Sequence, residues 1–217
     1  MKPRTLREAW FTVTADDYDC HMAAIGQARA NAEIVRELFH ARPPASGAAV
    51  LVAGGGTGQM FDFVTPDFLR PFALTFTDIN PEYLRRLQAR LDACPGLNAR
   101  TALDDIESSA LSGEFALLVA VLVLEHVDAL RAIATMCRLA ARVFVVVQEN
   151  PPRFASAVTR EPVGSVAVFC EVEPHLHAAA EIERQFAAHG FHRVWTISRE
   201  VLDDKQMVGM EFSRAGS

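Results

Sequence analysis

The stretch Ala49–Gly58, AVLVAGGGTG, decides the fold predicted for this chain. Its first half is a short apolar run, typical of a strand that is buried on both faces. Its second half places Gly54, Gly56 and Gly58 at alternate positions. In an open parallel sheet, a glycine turn after the first strand lets the backbone approach a ligand at the carboxyl ends of the strands. The stretch therefore predicts the first strand of a doubly wound α/β sheet, with a ligand beside the turn.

Downstream of this strand, short apolar segments alternate with helical patterns, which is typical of an α/β fold. Helices are expected from Gln59, from Pro81 after the capping residue Asn80, and over residues 127–141 and 178–189. The last two apolar segments have no helical pattern between them, which predicts an antiparallel last strand. Seven strands are expected, over residues 49–53, 72–77, 98–102, 115–121, 143–148, 191–198 and 206–212.

The first 45 residues are predicted to form a helical lid. Apolar residues recur at helical spacing over 23–39, and the Pro43-Pro44 pair ends this helix. Residues 46–217 are expected to form a single domain with the lid. Within it, the irregular segment 151–175 is expected to be an insertion on the substrate side.

Composition excludes several classes of protein. The chain has 217 residues and 50% hydrophobic content, which suits one globular domain with a proper core. A formal net charge of −6 argues against a nucleic-acid-binding protein, which needs a basic surface. The four cysteines lack metal-site spacing, and the longest apolar run is too short to span a bilayer. We therefore expect a cytoplasmic protein without a metal site, a nucleic-acid partner or a membrane partner.

The spacing of the glycines narrows the choice of ligand class. A dinucleotide-binding turn reads G-x-G-x-x-G, and its third glycine would fall at position 59, where this chain has Gln59. Asp78 follows the second strand and could accept two hydrogen bonds from a ribose diol, although it could also cap the next helix. Asp104 and Asp105 could accept from an adenine amino group or cap a short helix, and Ile106 could cover the ring. A nicotinamide-dependent oxidoreductase stays an alternative that Gln59 disfavours.

Several stretches in this order resemble the class I S-adenosylmethionine-dependent methyltransferases. The resemblance rests on VLVAGGGTGQ (50–59), FTDINPEYL (76–84), LDDIE (103–107), VLEHVD (123–128) and the closing DDKQMVGMEFSR (203–214). It implies S-adenosylmethionine as cofactor, S-adenosylhomocysteine as product and a Rossmann-like methyltransferase fold. It also implies a set of cofactor-binding residues, of which the first lies in the predicted lid: Tyr18, Gly54, Gly56, Gly58, Gln59, Asp78, Ile79, Asp105, Ile106, Val121 and Leu122.

One position departs from the family. An acid often stands two residues before the first glycine of the turn, and this chain has Val52 there. The acid that usually binds the cofactor's ammonium indirectly is then missing, or residues elsewhere in the chain bind the ammonium instead. This departure keeps open a second alternative, a non-catalytic binding subunit with the methyltransferase fold.

The acceptor is harder to predict than the cofactor. Methyl transfer is an in-line displacement, so the enzyme mainly holds the acceptor and excludes water. The apolar residues of the insertion favour a small apolar or aromatic acceptor. His126 and His175 are the candidate catalytic residues, although His126 could be structural and His175 a solvated loop residue. The substrate contacts predicted are His21, Glu149, Phe154 and Phe169.

Overall fold

A computed structural model describes residues 3–158, 162 and 164–214. One seven-stranded sheet forms its centre, in the order β3-β2-β1-β4-β5-β7-β6. Residues 159–161 and 163, within the predicted insertion, lie outside the described residues. The strands are β1 (Ala49–Ala53), β2 (Ala73–Asp78), β3 (Asn98–Leu103), β4 (Leu117–Val121), β5 (Arg142–Glu149), β6 (Phe191–Glu200) and β7 (Gln206–Arg214).

The pairing confirms the predicted topology. Strands β1 to β5 pair in parallel, whereas β7 runs antiparallel to both β5 and β6. The chain proceeds from β1 to β2 and β3 on one side, and then returns to place β4 on the other side of β1. This reversal of strand order leaves a crevice at the carboxyl ends of β1 and β4, where open α/β sheets bind their ligands.

Helices cover both faces of the sheet and bury its apolar strands. They are α1 (Leu6–Trp10), α2 (Ala15–Ala24), α3 (Gln27–Ala41), α4 (Pro81–Asp92), α5 (Ala129–Leu139) and α6 (Ala179–Ala188). Alternate residues of β1 enter opposite cores: Leu51 packs with α5 and α6, and Val50 packs with α3 and α4. None of the described helices combines the length and hydropathy needed to cross a membrane.

The N-terminal segment is helical as predicted, but the single helix over 23–39 is wrong. The chain forms α2 and α3 instead, and the break falls at Ile25 and Gly26, where Gly26 has a φ of 77°. This left-handed conformation suits a residue without a Cβ and ends the helix. A third apolar cluster joins α1 and α2 to Tyr83 of α4 and to Phe169 in the 3₁₀ segment Gly164–Cys170.

The helix expected from Gln59 is also wrong. Two short 3₁₀ segments, Gln59–Asp62 and Pro66–Leu69, take its place. Thr65 between them is extended, as expected for a residue that precedes proline. The glycine turn is therefore followed by an irregular connection, against which α3 packs.

Candidate functional site

The glycine turn after β1 has a backbone that requires glycine. Gly54, Gly56 and Gly58 all have positive φ, at 64°, 56° and 73°. A Cβ on Gly54 would lie 2.5 Å from a methyl group of Val123, and a Cβ on Gly58 would clash with Leu87. The alternate glycines are thus explained by conformation and by close packing.

Asp78, the last residue of β2, is bonded to this turn. Its Oδ2 accepts the backbone N–H of Gly56 at 2.9 Å, and its Oδ1 accepts the N–H of Asn80 at 2.8 Å. Helix α4 is capped by Asn80, whose side chain accepts the N–H of Glu82 at 2.9 Å. Burial raises the pKa of the Asp78 carboxyl, while its backbone hydrogen bonds oppose that rise. The helix-cap alternative for Asp78 is therefore not what the structure has, because Asn80 fills that position.

A cavity of about 750 Å³, which we call the β2 cavity, opens beside Asp78. It lies at the carboxyl ends of β1, β2, β3 and β4, with Trp10 and Tyr18 of the N-terminal helices over it. Most of the residues predicted for the cofactor line it, namely Tyr18, Gly54, Gly56, Asp78, Ile79, Asp105, Ile106, Val121 and Leu122.

The two acids after β3 differ in how many of their carboxylate oxygens have a hydrogen-bond or ion-pair partner. Asp105 accepts the N–H of Glu107 at 3.0 Å, and its other oxygen pairs with Arg7 of α1. Asp104 accepts the N–H of Ala110 at 3.2 Å, but its Oδ2 is buried and has no hydrogen-bond partner among the described residues. Both acids line the β2 cavity, and Asp104 is the one whose buried oxygen has no partner in the described residues.

A second cavity, of about 620 Å³, lies between the glycine turn and α3, and we call it the turn cavity. Gly58, Gln59 and Val52 line it, as does Asn31 of α3, which sequence analysis missed. The Asn31 Oδ1 and Gln59 Oε1 atoms are buried, and no hydrogen-bond partner for either lies in the described part of the chain. Two residues that line this cavity, near Val52, thus each have a buried carbonyl oxygen without a partner in that part of the chain.

Helix α2 is held against the glycine turn by an ionic network. Arg90 of α4 donates to the backbone carbonyl of Thr57 and to the carboxylate of Asp19, each at 2.8 Å. Asp19 also accepts from the Thr57 hydroxyl, and its backbone carbonyl accepts from the Gln59 side chain at 2.7 Å. Helix α2 is thus positioned against the turn by specific polar contacts.

A third cavity, of about 880 Å³, lies on the other side of Tyr18, and we call it the loop cavity. Its walls come from α2, the end of β5, residues 157–158 and 166–176, and the turn between β6 and β7. Its polar members include His21, Glu125, Gln148 and Lys205. Its apolar lining consists of Met22, Ile25, Val158, Val166, Phe169, Pro174, Leu176, Val201 and Leu202, with Trp10 and Leu122 at one end.

Four residues line both the β2 cavity and the loop cavity: Trp10, Tyr18, Leu122 and His126. Trp10 meets the His126 ring edge-on, with centroids 4.8 Å apart, and lies 4.7 Å from the Phe169 ring. Leu122 has a φ of 53°, an uncommon value for a residue with a Cβ. Strained backbone of this kind clusters at functional sites, and here it lies where the two cavities meet.

His126 and Glu125 are adjacent in sequence and have unusual pKa values. Burial lowers the pKa of His126 to about 3, and its buried Nδ1 has no partner among the described residues. Glu125 accepts the backbone N–H of Gln148 at 2.8 Å, and its Oε2 is buried without a partner in the same residues. Burial raises the pKa of Glu125 to about 7. His126 is thus neutral at physiological pH, whereas Glu125 titrates near it.

The structure brings some of the acceptor candidates together and separates others. His21 and Phe169 line the loop cavity. The His175 side chain is exposed, and that residue contributes its backbone N–H to the Glu125 carbonyl at 2.8 Å. Glu149 accepts the N–H of Ala179 at 3.2 Å, at the start of α6, and Phe154 packs under Arg153. His175, Glu149 and Phe154 line none of the three cavities described above.

Sequence analysis also missed residues that come from distant parts of the chain. Trp10, Asn31 and Lys205 line the cavities, yet no local motif marked them. The one usable signal for Lys205 was its place in the closing stretch of the family resemblance. No group of three or more His, Cys, Asp or Glu side chains suited to a metal ion occurs in the described residues.

No protein-family model and no curated protein matches this sequence. Among solved structures, magnesium protoporphyrin IX methyltransferase (ChlM) from Synechocystis PCC 6803, with bound SAM, superposes with a TM-score of 0.64 at 18% identity, over 85% of this chain and 78% of that one. Geranyl diphosphate C-methyltransferase from Streptomyces coelicolor A3(2) gives 0.64 at 11% identity, over 84% and 79%. The [4+2]-cyclase SpnF gives 0.63 at 15% identity, over 84% and 80%. The chain therefore has the fold of the class I S-adenosylmethionine-dependent methyltransferases.

Proposed function

We propose that this protein transfers the methyl group of S-adenosylmethionine to a small, largely apolar molecule and releases S-adenosylhomocysteine. One observation carries the proposal. The β2 cavity, with its glycine turn and its acids, shares a wall with the mostly apolar loop cavity, at Trp10, Tyr18, Leu122 and His126. A methyl donor and an acceptor need two sites that meet at the reacting atoms.

The residues of the β2 cavity fit an adenosine group. The Asp78 carboxylate offers acceptor lone pairs to ribose hydroxyls beyond the two that its backbone partners use. Asp104 has a buried unpaired oxygen that suits the adenine amino group, in addition to Asp105. Ile79 and Ile106 supply apolar surface for the ring. The fit rests on an unpaired buried acceptor, which a bound group with a donor would satisfy.

The turn cavity fits the amino acid part of the cofactor. Asn31 Oδ1 and Gln59 Oε1 are acceptors without partners in the described residues, and an ammonium group has three donors. In this proposal, the two amide oxygens bind the ammonium group in place of an acid at position 52. Val52 is then compatible with cofactor binding, which weakens the case for a non-catalytic binding subunit.

S-adenosylmethionine supplies, when bound, a methyl group on a sulfonium, which is open to in-line displacement. The protein's own residues hold the acceptor and exclude water. Trp10 and Phe169 form an aromatic wall at the junction of the cavities, and the apolar lining of the loop cavity suits a hydrophobic acceptor.

Where the accepting atom carries a proton, Glu125 is the residue best suited to take it. Its pKa of about 7 lies near physiological pH, where a general base works best, and its Oε2 has no partner in the described residues. His126, with a pKa of about 3, is a weaker base, but its Nδ1 can accept a hydrogen bond from the acceptor. His175 has no part in this proposal, because its side chain is exposed and lines none of the three cavities.

Two titrations and one assay test this function. Calorimetry is expected to give one S-adenosylhomocysteine site per chain and no binding of NADH. Tight NADH binding without S-adenosylhomocysteine binding would refute the proposal in favour of an oxidoreductase. The assay incubates the protein with S-adenosylmethionine carrying a deuterated methyl group and a panel of small aromatic and aliphatic molecules. Mass spectrometry is expected to find a labelled product, and such a product would exclude the non-catalytic alternative.

A further inference from the structure

The loop cavity has a buried lysine in its otherwise largely apolar wall. The Lys205 residue is only 4% exposed, yet it lines the cavity together with Leu176, Val201 and Leu202. Removing an ammonium group from water is unfavourable unless the group is paired or hydrogen-bonded. A ligand in this cavity therefore meets a strong, poorly solvated donor.

The turn between β6 and β7 holds Lys205 in this position. Val201 donates its backbone N–H to the carbonyl of Lys205 at 2.9 Å, which closes the turn. Asp203 and Asp204 between them have φ values of 67° and 55°. Two successive residues with side chains in the left-handed region are uncommon, although Asp tolerates this conformation better than most residues. The backbone strain and the buried lysine thus belong to the same short turn, and strain of this kind marks functional sites.

The ammonium group of Lys205 has N–H donors that the described residues do not use. Its Nζ donates to the backbone carbonyl of Ala157 at 2.6 Å, and no carboxylate of the described residues forms an ion pair with it. The Asp204 carboxylate pairs with Arg153 instead. Asp203 also lines the cavity, and its charge favours the ammonium form, but burial outweighs it and lowers the pKa of Lys205 to about 8. An ammonium has three N–H donors, so two are left for a ligand.

The choice of lysine at this position is itself informative. The sequence contains 19 Arg and only two Lys, of which the other is Lys2. Arginine presents a broad planar fork, whereas lysine is a compact point charge on a slender stem. A compact ammonium group suits the binding of a single oxyanion in a mostly apolar cavity.

The polar groups of the cavity set a direction for the ligand. Gln148 donates its side-chain amide to the Ala157 carbonyl at 3.0 Å, beside Lys205, and its backbone N–H to Glu125 at 2.8 Å. Glu125 precedes His126, which lines both the loop cavity and the β2 cavity, whereas Lys205 lines the loop cavity alone. The ammonium of Lys205 attracts an anionic group to its own part of the cavity, although the Asp203 carboxylate also lines it.

We infer that the methyl acceptor carries an anionic oxygen, a carboxylate or a phenolate, which Lys205 binds at the end of the loop cavity away from the β2 cavity. This inference rests on the proposed function, because it takes the loop cavity as the acceptor site. The anionic group is the anchor, and the atom that receives the methyl group lies at the other end of the molecule, near Leu122 and His126. Lys205 is then a specificity residue for an apolar acid.

The test uses three naphthalene probes, 2-naphthoate, 2-naphthol and the neutral 2-naphthamide. Each is titrated into the full chain by calorimetry, with S-adenosylhomocysteine present at saturation. We expect 2-naphthoate or 2-naphthol to bind at least about tenfold more tightly than 2-naphthamide, as for a charge-assisted hydrogen bond. Preference for 2-naphthoate identifies a carboxylate, and preference for 2-naphthol a phenolate.

Two variants assign the preference to the lysine. Lys205→Met is expected to abolish it, whereas Asp204→Asn, in the same turn but paired with the exposed Arg153, is expected to keep it. Equal binding of all three probes by the wild type would overturn the inference without any variant, even if Lys205→Met failed to fold. A preference that survives in a folded Lys205→Met protein would overturn it too. S-adenosylhomocysteine is titrated first, so that failure of the cofactor site is seen separately. If it does not bind, the probes are titrated into the protein alone.

Discussion

The backbone N–H of Gly56 donates a hydrogen bond of 2.9 Å to the carboxylate of Asp78, which lies 22 residues further along the chain. This bond ties the glycine turn after β1 to the end of the neighbouring strand β2. Both residues line the β2 cavity, so the bond fixes the relative position of two of its walls. A site for a nucleoside needs this preorganisation, because the turn and the acid contact different parts of one ligand.

Replacement of Asp78 tests its role as a ligand. Asp78→Ala removes the acceptor oxygens, and we expect the affinity for S-adenosylhomocysteine to fall by about tenfold or more, as for the loss of hydrogen bonds to a charged group. Calorimetric titration measures the change. Asp128→Ala is the matched control, since it removes a carboxylate that caps α5 and is expected to leave the affinity unchanged. Unchanged affinity in Asp78→Ala would show that the carboxylate only holds the turn.

Asn31 is expected to act on one part of the cofactor only. We predict that Asn31→Leu weakens S-adenosylhomocysteine binding by about tenfold, because it removes one of two unpaired acceptors in the turn cavity. The affinity for 5′-methylthioadenosine, which lacks the amino acid part, is expected to stay the same. Parallel titrations with the two ligands measure both values. An equal loss for both ligands would mean that the substitution disturbs the fold rather than an ammonium site.

Trp10 reports on occupancy of the cavities by its fluorescence. The chain has two tryptophans, and Trp195 packs on Phe144 on the sheet, away from the cavities. In Trp195→Phe, we expect S-adenosylhomocysteine to change the emission of the remaining Trp10, with the same dissociation constant as calorimetry gives. In Trp10→Phe, the emission of Trp195 is expected to stay constant. A ligand-dependent signal from Trp195 instead of Trp10 would place the ligand elsewhere.

Glu125 makes stability depend on pH in a defined direction. Its pKa rises from 4.5 to about 7 on folding, so between these values the native state binds more protons than the unfolded state. The free energy of unfolding therefore falls as pH rises through this window. His126, whose pKa falls to about 3, has the opposite effect below pH 6.5, so only a comparison with a variant isolates Glu125.

Urea unfolding of the wild type and Glu125→Gln between pH 4.5 and 7.5 provides that comparison. Relative to the variant, the wild type is expected to lose on the order of 3 kcal/mol as pH rises, from about 1.4 kcal/mol per pKa unit. Glu114→Gln changes an exposed acid and is expected to follow the wild-type curve. A pH-independent difference between the wild type and Glu125→Gln would contradict the raised pKa of Glu125.

The sequence predicted the sheet and many of the residues that line the β2 and turn cavities, because both depend on local patterns. The apolar runs predict strands, and the alternate glycines and Asp78 predict a binding turn. Each is a local signal, because the geometry of a turn or of a strand end restricts the residue types that can occur there. Each residue expected to bind the cofactor lines the β2 cavity or the turn cavity. Their contact with a cofactor stays a prediction.

Other residues that line the cavities could not be predicted, because they come from distant segments of the chain. Trp10, Asn31 and Lys205 come from α1, α3 and the turn before β7, and only tertiary packing brings them to the cavities. The single helix over 23–39 failed for a local reason, since apolar spacing continued past Gly26 although its backbone is left-handed. Glu149 was expected in the cleft, but its carboxylate accepts a hydrogen bond from the backbone at the start of α6. The sequence of β5 alone does not show that this helix lies next to Glu149.

A crystal structure of the protein with S-adenosylhomocysteine tests the central claim most directly. We predict the ribose hydroxyls on Asp78, the adenine in the β2 cavity beside Asp104, the ammonium at Asn31 and Gln59, and the sulfur facing the loop cavity past Leu122. A ligand bound with its ribose away from Asp78, or with its sulfur closed off from the loop cavity, would contradict the assignment of these cavities to a methyl donor and its acceptor.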